Sequence, residues 1–271
     1  MKIELQQIIA IAVKNLKIKF RSYQTYLYAF GFPILFTFIF LFVFNSIEVP
    51  GGYNVFDLAF SSVLIYAASF GTINAAVSLT SEKHRGTLMR LDTTPIGRTK
   101  IFIGTLLSES VFLAIQLLLM VFLGYGLLGV RFHEQKVLLL IIGLFIIFIF
   151  GISTLGVGIV ISAYAKTADA ATGISMCYVM PVLFLSGIFI PFDSPIVYFF
   201  PPFWVNQIFQ QVVMLGDNIL TDSFRYHSLN LFSAEFTVIP LWGAIIIIVL
   251  ATIVSLYGGI LLFQRKTLVY E

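Results

Sequence analysis

The sequence predicts an all-α membrane protein: six transmembrane helices, an N-terminal interfacial helix, and a broken re-entrant outer segment between the fifth and sixth helices. Four observations carry this. Of the 271 residues, 59% are hydrophobic and 11% are charged, against about 25% charged in a soluble domain. Mean hydropathy is +0.99, which excludes a soluble enzyme with a large core. The apolar residues fall in runs of about twenty or more, long enough to cross a hydrocarbon core of about 30 Å. The positive charges divide unevenly between the connecting segments, as they do in membrane proteins.

Residues 1–22 read as an amphipathic interfacial helix. Leu5, Ile8, Ile9, Ala12, Leu16 and Phe20 keep helical spacing, with Gln7, Lys14, Lys17 and Arg21 on the other side. The expectation is an apolar face in the membrane and lysines toward headgroups. The segment lacks the apolar core and small-residue cleavage site of a signal peptide, so it is expected to remain in the mature chain. Residues 23–44 form the first span, with Pro33 placed to kink it. The following loop carries Glu48 and Asp57 and no Lys or Arg. Residues 58–80 form the second span. Its Ser61, Ser62, Ser69, Thr72, Asn74 and Ser78 suit close helix packing or a pore wall.

Residues 81–100, SEKHRGTLMRLDTTPIGRTK, are the longest polar stretch in the chain. Leu88, Met89 and Leu91 lie among the charges as on a short helix with one apolar face, and Pro95 and Gly97 end it. The third span, 101–130, would measure about 45 Å at about 1.5 Å per residue, so part of it leaves the bilayer. Glu109 is the only carboxylate in that run. It reads either as an interface-solvated side chain or as a gate facing an inner cavity, since full lipid exposure costs about 3 kcal/mol.

Residues 137–163 form the fourth span. Gly143, Gly151, Gly156 and Gly158 there allow close helix contact. Residues 172–190 form the fifth, broken by Pro181. Residues 191–236 are apolar and aromatic but carry Pro191, Pro195, Pro201 and Pro202, which rule out a straight span. Short half-helices in the outer leaflet fit, provided protein shields their backbone. Residues 237–263 form the last span.

Six spans place both termini on one side. That side holds Lys2, Lys14, Lys17, Lys19, Arg21, Lys83, Arg85, Arg90, Arg98, Lys100, Lys166, Arg265 and Lys266; the other holds Arg131, Lys136 and Arg225. The basic side is therefore expected to be cytoplasmic.

Several chemistries lack their motifs. No G-x-x-x-x-G-K-[ST] occurs, so a P-loop for ATP is excluded. His133-Glu134 begins like H-E-x-x-H, but Val137 takes the last position. No metal site and no catalytic residue is expected. The single Cys177 cannot form an internal disulfide. The basic segments are juxtamembrane, where each Lys or Arg gains about 1 kcal/mol from anionic lipid. Nucleic-acid binding is not expected.

The run from Glu82 to Leu107 resembles the signature of ABC-2 type transporter permeases, E-K/R-x-x-G-T-L-x-x-L-x-x-T-P. Glu82, Lys83, Gly86, Thr87, Leu88, Leu91, Thr94 and Pro95 match it. A second match runs from Gly156 to Pro195, through Pro181, Phe184, Leu185, Ser186, Gly187 and Pro191. The resemblance implies that two permease chains pair, as a homodimer, above two copies of a separate ABC ATPase. Residues 81–100 then act as the coupling segment docked on the ATPase. Glu82, Lys83 and Arg85 offer charge pairing, Gly86 a close approach or bend, and Leu88 and Met89 an apolar contact, with Thr87 of the motif between them.

The chain itself needs no cofactor; ATP and Mg act through the partner ATPase. Ser69, Thr72, Asn74 and Glu109 are candidates for the substrate path, and Pro201, Pro202 and Trp204 for an outer gate. The expected location is a prokaryotic plasma membrane. The expected activity is export of a hydrophobic or amphipathic substrate such as a drug, antibiotic or lipid. The first span lacks the Leu-Gly-x-x-Trp element that polysaccharide exporters often show. Polysaccharide or sodium export stays open within the family, and an ATP-independent channel or scaffold outside it.

Overall fold

Apolar helical segments dominate because in lipid every backbone polar group must be satisfied within the protein. The computed structural model describes residues 2–49, 53–84, 98–189, 194–220, 222–225 and 237–267. Helix α1 is Lys2–Arg21. The first span follows as α2, Tyr23–Tyr26, a π-helical turn Leu27–Gly31, and α3, Phe32–Phe44. Strands β1, Glu48–Val49, and β2, Tyr53–Asn54, pair antiparallel beyond it. The second span is split into α4, Val55–Ser69, and α5, Gly71–His84. Helix α6, Arg98–Val121, continues through a π-helical turn Phe122–Leu127. Then come α7, Val137–Tyr164, and α8, Ala168–Leu185.

The outer segment contains a 3-10 turn Pro195–Phe199, then α9, Pro201–Phe209, and a π-helical turn Gln210–Leu215. Strands β3, Ser223–Arg225, and β4, Thr237–Pro240, pair antiparallel before α10, Leu241–Thr267. Among the described residues, five helical stretches are long and apolar enough to cross a membrane, and Ala29–Phe44 is a shorter apolar helix. The protein is an all-α membrane protein.

Three boundaries depart from the sequence reading. The last span starts at Leu241 rather than residue 237. Thr237, Val238 and Ile239 are β-branched, and Pro240 disfavours a helical residue before it, so this stretch joins β3 instead. Pro181 does not break the fifth span but lies inside α8. That helix starts at Ala168, capped by Thr167, whose hydroxyl accepts from the Ala170 amide at 3.2 Å. The second span crosses as one stretch, Val55–Lys83, but turns at Phe70 between α4 and α5.

Helix α7 is the hub, packed along α10, α5, α4 and α9. Its glycines allow this. A Cβ on Gly158 would stand 2.3 Å from the Thr72 carbonyl oxygen of α5, and one on Gly156 would stand 2.7 Å from the Ser255 backbone of α10. Only a hydrogen fits at either place. The core around α7 includes Phe60, Tyr66, Phe70, Leu113, Phe150, Phe209 and Val212.

The interruption at Phe70 is satisfied from neighbouring helices. Gln116 of α6, 1% exposed, donates to the Ala67 carbonyl at 3.0 Å and to the Ala29 carbonyl at 2.7 Å. Ala29 is four residues before Pro33, which has no amide hydrogen to give it. Thr154 of α7 donates to the Ala68 carbonyl at 3.1 Å. The split helix thus leaves neither carbonyl unmet in the core.

At one end of the bundle Asp57 accepts from the backbone amides of Asn54, at 2.9 Å, and Arg131, at 3.0 Å. The opposite end carries the chain from His84 towards Arg98.

Candidate functional site: an open cavity between α1, α5 and α8

A cavity of about 690 Å³ opens between α1, α5 and α8. Lys14, Asn15, Ile18 and Lys19 form one wall, with Ser22 and Thr25 above them. Ile73, Asn74, Val77, Ser78, Ser81 and Glu82 of α5 form the second, and Ala168, Asp169, Thr172 and Gly173 the third. Apolar, hydroxyl and charged groups therefore share one space. That mixture suits a molecule with both an apolar body and polar groups.

Helix α1 reaches this wall because one side of it is fastened to α6. Gln7, Ile11, Asn15 and Lys19 stand four residues apart and lie in one line along the helix. Lys100 donates to Gln7 Oε1 at 3.2 Å. A Cβ on Gly104 would stand 2.8 Å from Ile11, so the two helices touch there. Asn15 Nδ2 donates to Thr105 Oγ1 at 3.1 Å. Lys19 donates to Glu109, and its Nζ lies 5.0 Å from the centre of the Phe112 ring. The expected division of α1 changes accordingly: Asn15 and Lys19 are buried against protein, while Leu5, Ile9 and Phe20 are exposed. A polar line packs inward because α6 offers polar partners, and the apolar side chains face outward, where an interfacial helix meets lipid.

The structure sorts the sequence-predicted residues into distinct places. Glu82 stands on the cavity wall and accepts from Lys14 at 2.7 Å. Lys83 donates to the Ala165 carbonyl at 3.3 Å. Arg85, Gly86, Thr87, Leu88 and Met89 lie outside the described residues. Asn74 lines the large cavity. Ser69 and Thr72 instead border a small one of about 30 Å³, together with Pro201 and Pro202.

Two groups expected apart, path and outer gate, thus meet at the helix interruption. Glu109 is 2% exposed and sits in the α1–α6 contact rather than on the cavity wall; its partner Lys19 is on that wall. Trp204 is buried, and its Nε1 donates to the Tyr198 carbonyl at 2.8 Å. Asn206 and Gln210 hold this outer segment to α4: Ser61 Oγ donates to Asn206 Oδ1 at 2.6 Å, and Gln210 donates to Ser61 Oγ at 3.2 Å.

Sequence reasoning missed Asn15, Lys19 and Gln116. The fourfold spacing from Gln7 to Lys19 was the available signal; Gln116 had none. At the Asp57 end, the hydrogen bond from Lys136 holds the Glu134 carboxyl below the usual range. Burial, reinforced by Asp57 and Glu134, raises the Tyr53 hydroxyl above its ordinary value. Among the described residues no group of His, Cys, Asp and Glu could hold a metal ion.

Comparison with known proteins adds an independent line. The daunorubicin resistance ABC transporter permease protein DrrB1 of Streptomyces coeruleorubidus is 28% identical over 128 residues, covering 47% of this chain and 44% of that protein. The probable multidrug ABC transporter permease YbhR of Escherichia coli K12 is 26% identical over 136 residues, covering 50% of this chain and 36% of that protein. The matches thus span less than half the length of either curated relative. The family model for the ABC-2 type transporter matches residues 6–216. That range holds α1, the cavity walls, the polar segment after Glu82 and the outer segment through α9, and the chain belongs to the ABC-2 type transporter family.

Proposed function

We propose that this chain is the membrane-spanning permease subunit of an ATP-driven exporter. The observation that carries the reading is the open cavity of mixed apolar and polar lining that runs along α5, the helix leading into the basic segment 85–97. Substrate enters that cavity past Asn74. It then follows α5 towards the small cavity bordered by Ser69, Thr72, Pro201 and Pro202. The mixed lining favours a hydrophobic or amphipathic cargo such as a drug, antibiotic or lipid, and the names of the two relatives lean the same way.

Ala29–Phe44 counts as a sixth span, and α9 with its π-helical turn is a re-entrant segment shielded by α4 and α7. Both termini are cytoplasmic, on the charge asymmetry of the loops, in a prokaryotic plasma membrane. Two copies pair as a homodimer and dock on two copies of a separate ABC ATPase, which binds ATP and Mg. Residues 82–89 carry the docking contact, with Gly86 at its closest approach.

A pull-down of the tagged chain from native membranes in mild detergent tests this. The expected result is a P-loop ATPase in about equal amount, lost on Gly86→Trp while the permease stays monodisperse. A chain that elutes alone, without nucleotide-dependent activity, is an ATP-independent channel or scaffold instead.

A further inference from the structure

Glu82 and Lys83 open the segment, residues 82–89, that the exporter reading docks on the ATPase. Glu82 nevertheless turns inward. Its carboxylate accepts from Lys14 at 2.7 Å, and both side chains stand in the cavity wall. The two sides of this pair differ mechanically. Helix α1 is fastened to α6 over four successive turns, at Gln7–Lys100, Ile11–Gly104, Asn15–Thr105 and Lys19–Glu109. The Lys19–Glu109 pair is enclosed, its side chains 7% and 2% exposed. Helices α1 and α6 therefore move together. The Lys14 and Glu82 side chains are 43% and 11% exposed, so water reaches this pair from the lysine side and it separates more easily than the enclosed Lys19–Glu109 pair.

We infer that the Lys14–Glu82 pair is a strut between the start of the coupling segment and α1, and that it opens during the ATP cycle to widen the cavity. The inference rests on the exporter reading. Lys14 and Glu82 are positioning residues: they set the distance between α5 and the α1–α6 unit. When the segment after Glu82 is drawn toward the ATPase, α5 is pulled while α1 stays on α6. The pair must then part, and the cavity between its two walls opens.

The test uses membrane vesicles holding the full chain with its ATPase. In a Cys177→Ser background, Lys14→Cys and Glu82→Cys are joined by a short bis-methanethiosulfonate linker, since two long side chains meet here. Linking is expected to be fast without nucleotide and at least tenfold slower with ATP and vanadate. Equal rates in both states, or no linking in either, overturn the proposal. Lys14→Glu and Glu82→Lys should each lower ATP hydrolysis several-fold, the double reversal should regain at least half of it, and Lys14→Arg should keep it.

A double reversal as inactive as the single variants overturns the proposal. The bound ATPase is quantified in each sample. If Glu82→Lys sheds the ATPase while Lys14→Glu keeps it, Glu82 acts through docking alone; the strut falls and the exporter reading stands. If the wild type brings down no ATPase, both fall.

Discussion

Lys19 and Glu109 form an ion pair enclosed between α1 and α6, with side chains 7% and 2% exposed. Two charges out of water tolerate the loss of one partner badly, because the other remains buried and unpaired. Glu109→Leu alone is therefore expected to cost about 3–5 kcal/mol and to lower the apparent unfolding temperature in detergent by several degrees. Lys19→Met with Glu109→Leu should recover most of that loss, because a matched apolar pair needs no desolvation. Thermal unfolding of the three proteins side by side checks it. Equal loss in single and double variants would assign the effect to packing rather than charge.

Gln116 supplies both of its amide hydrogens to carbonyls of other helices. Gln116→Leu keeps much of the volume and removes both donors. Each stranded carbonyl costs about 1–3 kcal/mol, so a marked drop in unfolding temperature is expected. Gln116→Met should behave alike, which separates the lost donors from a change of shape.

Adjacent glycines of α10 make a sharper comparison. A Cβ on Gly259 would stand 2.9 Å from the Gly156 carbonyl oxygen, whereas one on Gly258 meets nothing within 4 Å. Gly259→Ala should lower the yield of folded protein and its unfolding temperature. Gly258→Ala should match wild type or exceed it slightly, because alanine favours the helix by about 0.8–1.0 kcal/mol. Size-exclusion profiles and thermal scans of the two variants decide the matter.

The cavity assignment predicts which α5 positions water reaches. Asn74 lines the large cavity, while Thr72 is fully buried and donates to the Thr154 carbonyl at 3.1 Å. In a Cys177→Ser background, Asn74→Cys should react readily with a charged methanethiosulfonate in resting vesicles. Thr72→Cys should react at least tenfold more slowly. Similar rates would remove the distinction between the two cavities.

Most of the helical run was legible in the chain because lipid permits few structures and long apolar stretches declare them. The glycines of α7 were legible too, since small residues in an apolar run have one main use. What stayed hidden is tertiary. The interruption at Phe70 had one local cue, Gly71 just after it; what meets its backbone groups had none. Gln116 and Thr154 donate to the carbonyls around it, and no local pattern reports what two other helices offer. Glu109 was visible as a lone carboxylate, yet its partner lies ninety residues earlier, so its place between helices could not be read from its own span. The strand at Thr237–Pro240 was hidden by its apolar character, which suits a span and a hairpin equally.

The carboxylate of Asp57 ties the turn before α4 to the backbone just after the third span. Both helices that flank residues 85–97 are thus pinned at their far ends, and a pinned far end is a fulcrum. From Asp57 to Glu82 the chain runs 25 residues, a lever arm of at most about 38 Å at about 1.5 Å per residue. A tilt of about 5° on such an arm displaces Glu82 by about 3 Å, as far as the whole Lys14–Glu82 contact distance of 2.7 Å. A small push at one surface is sufficient to part the pair, and the anchored surface need hardly stir.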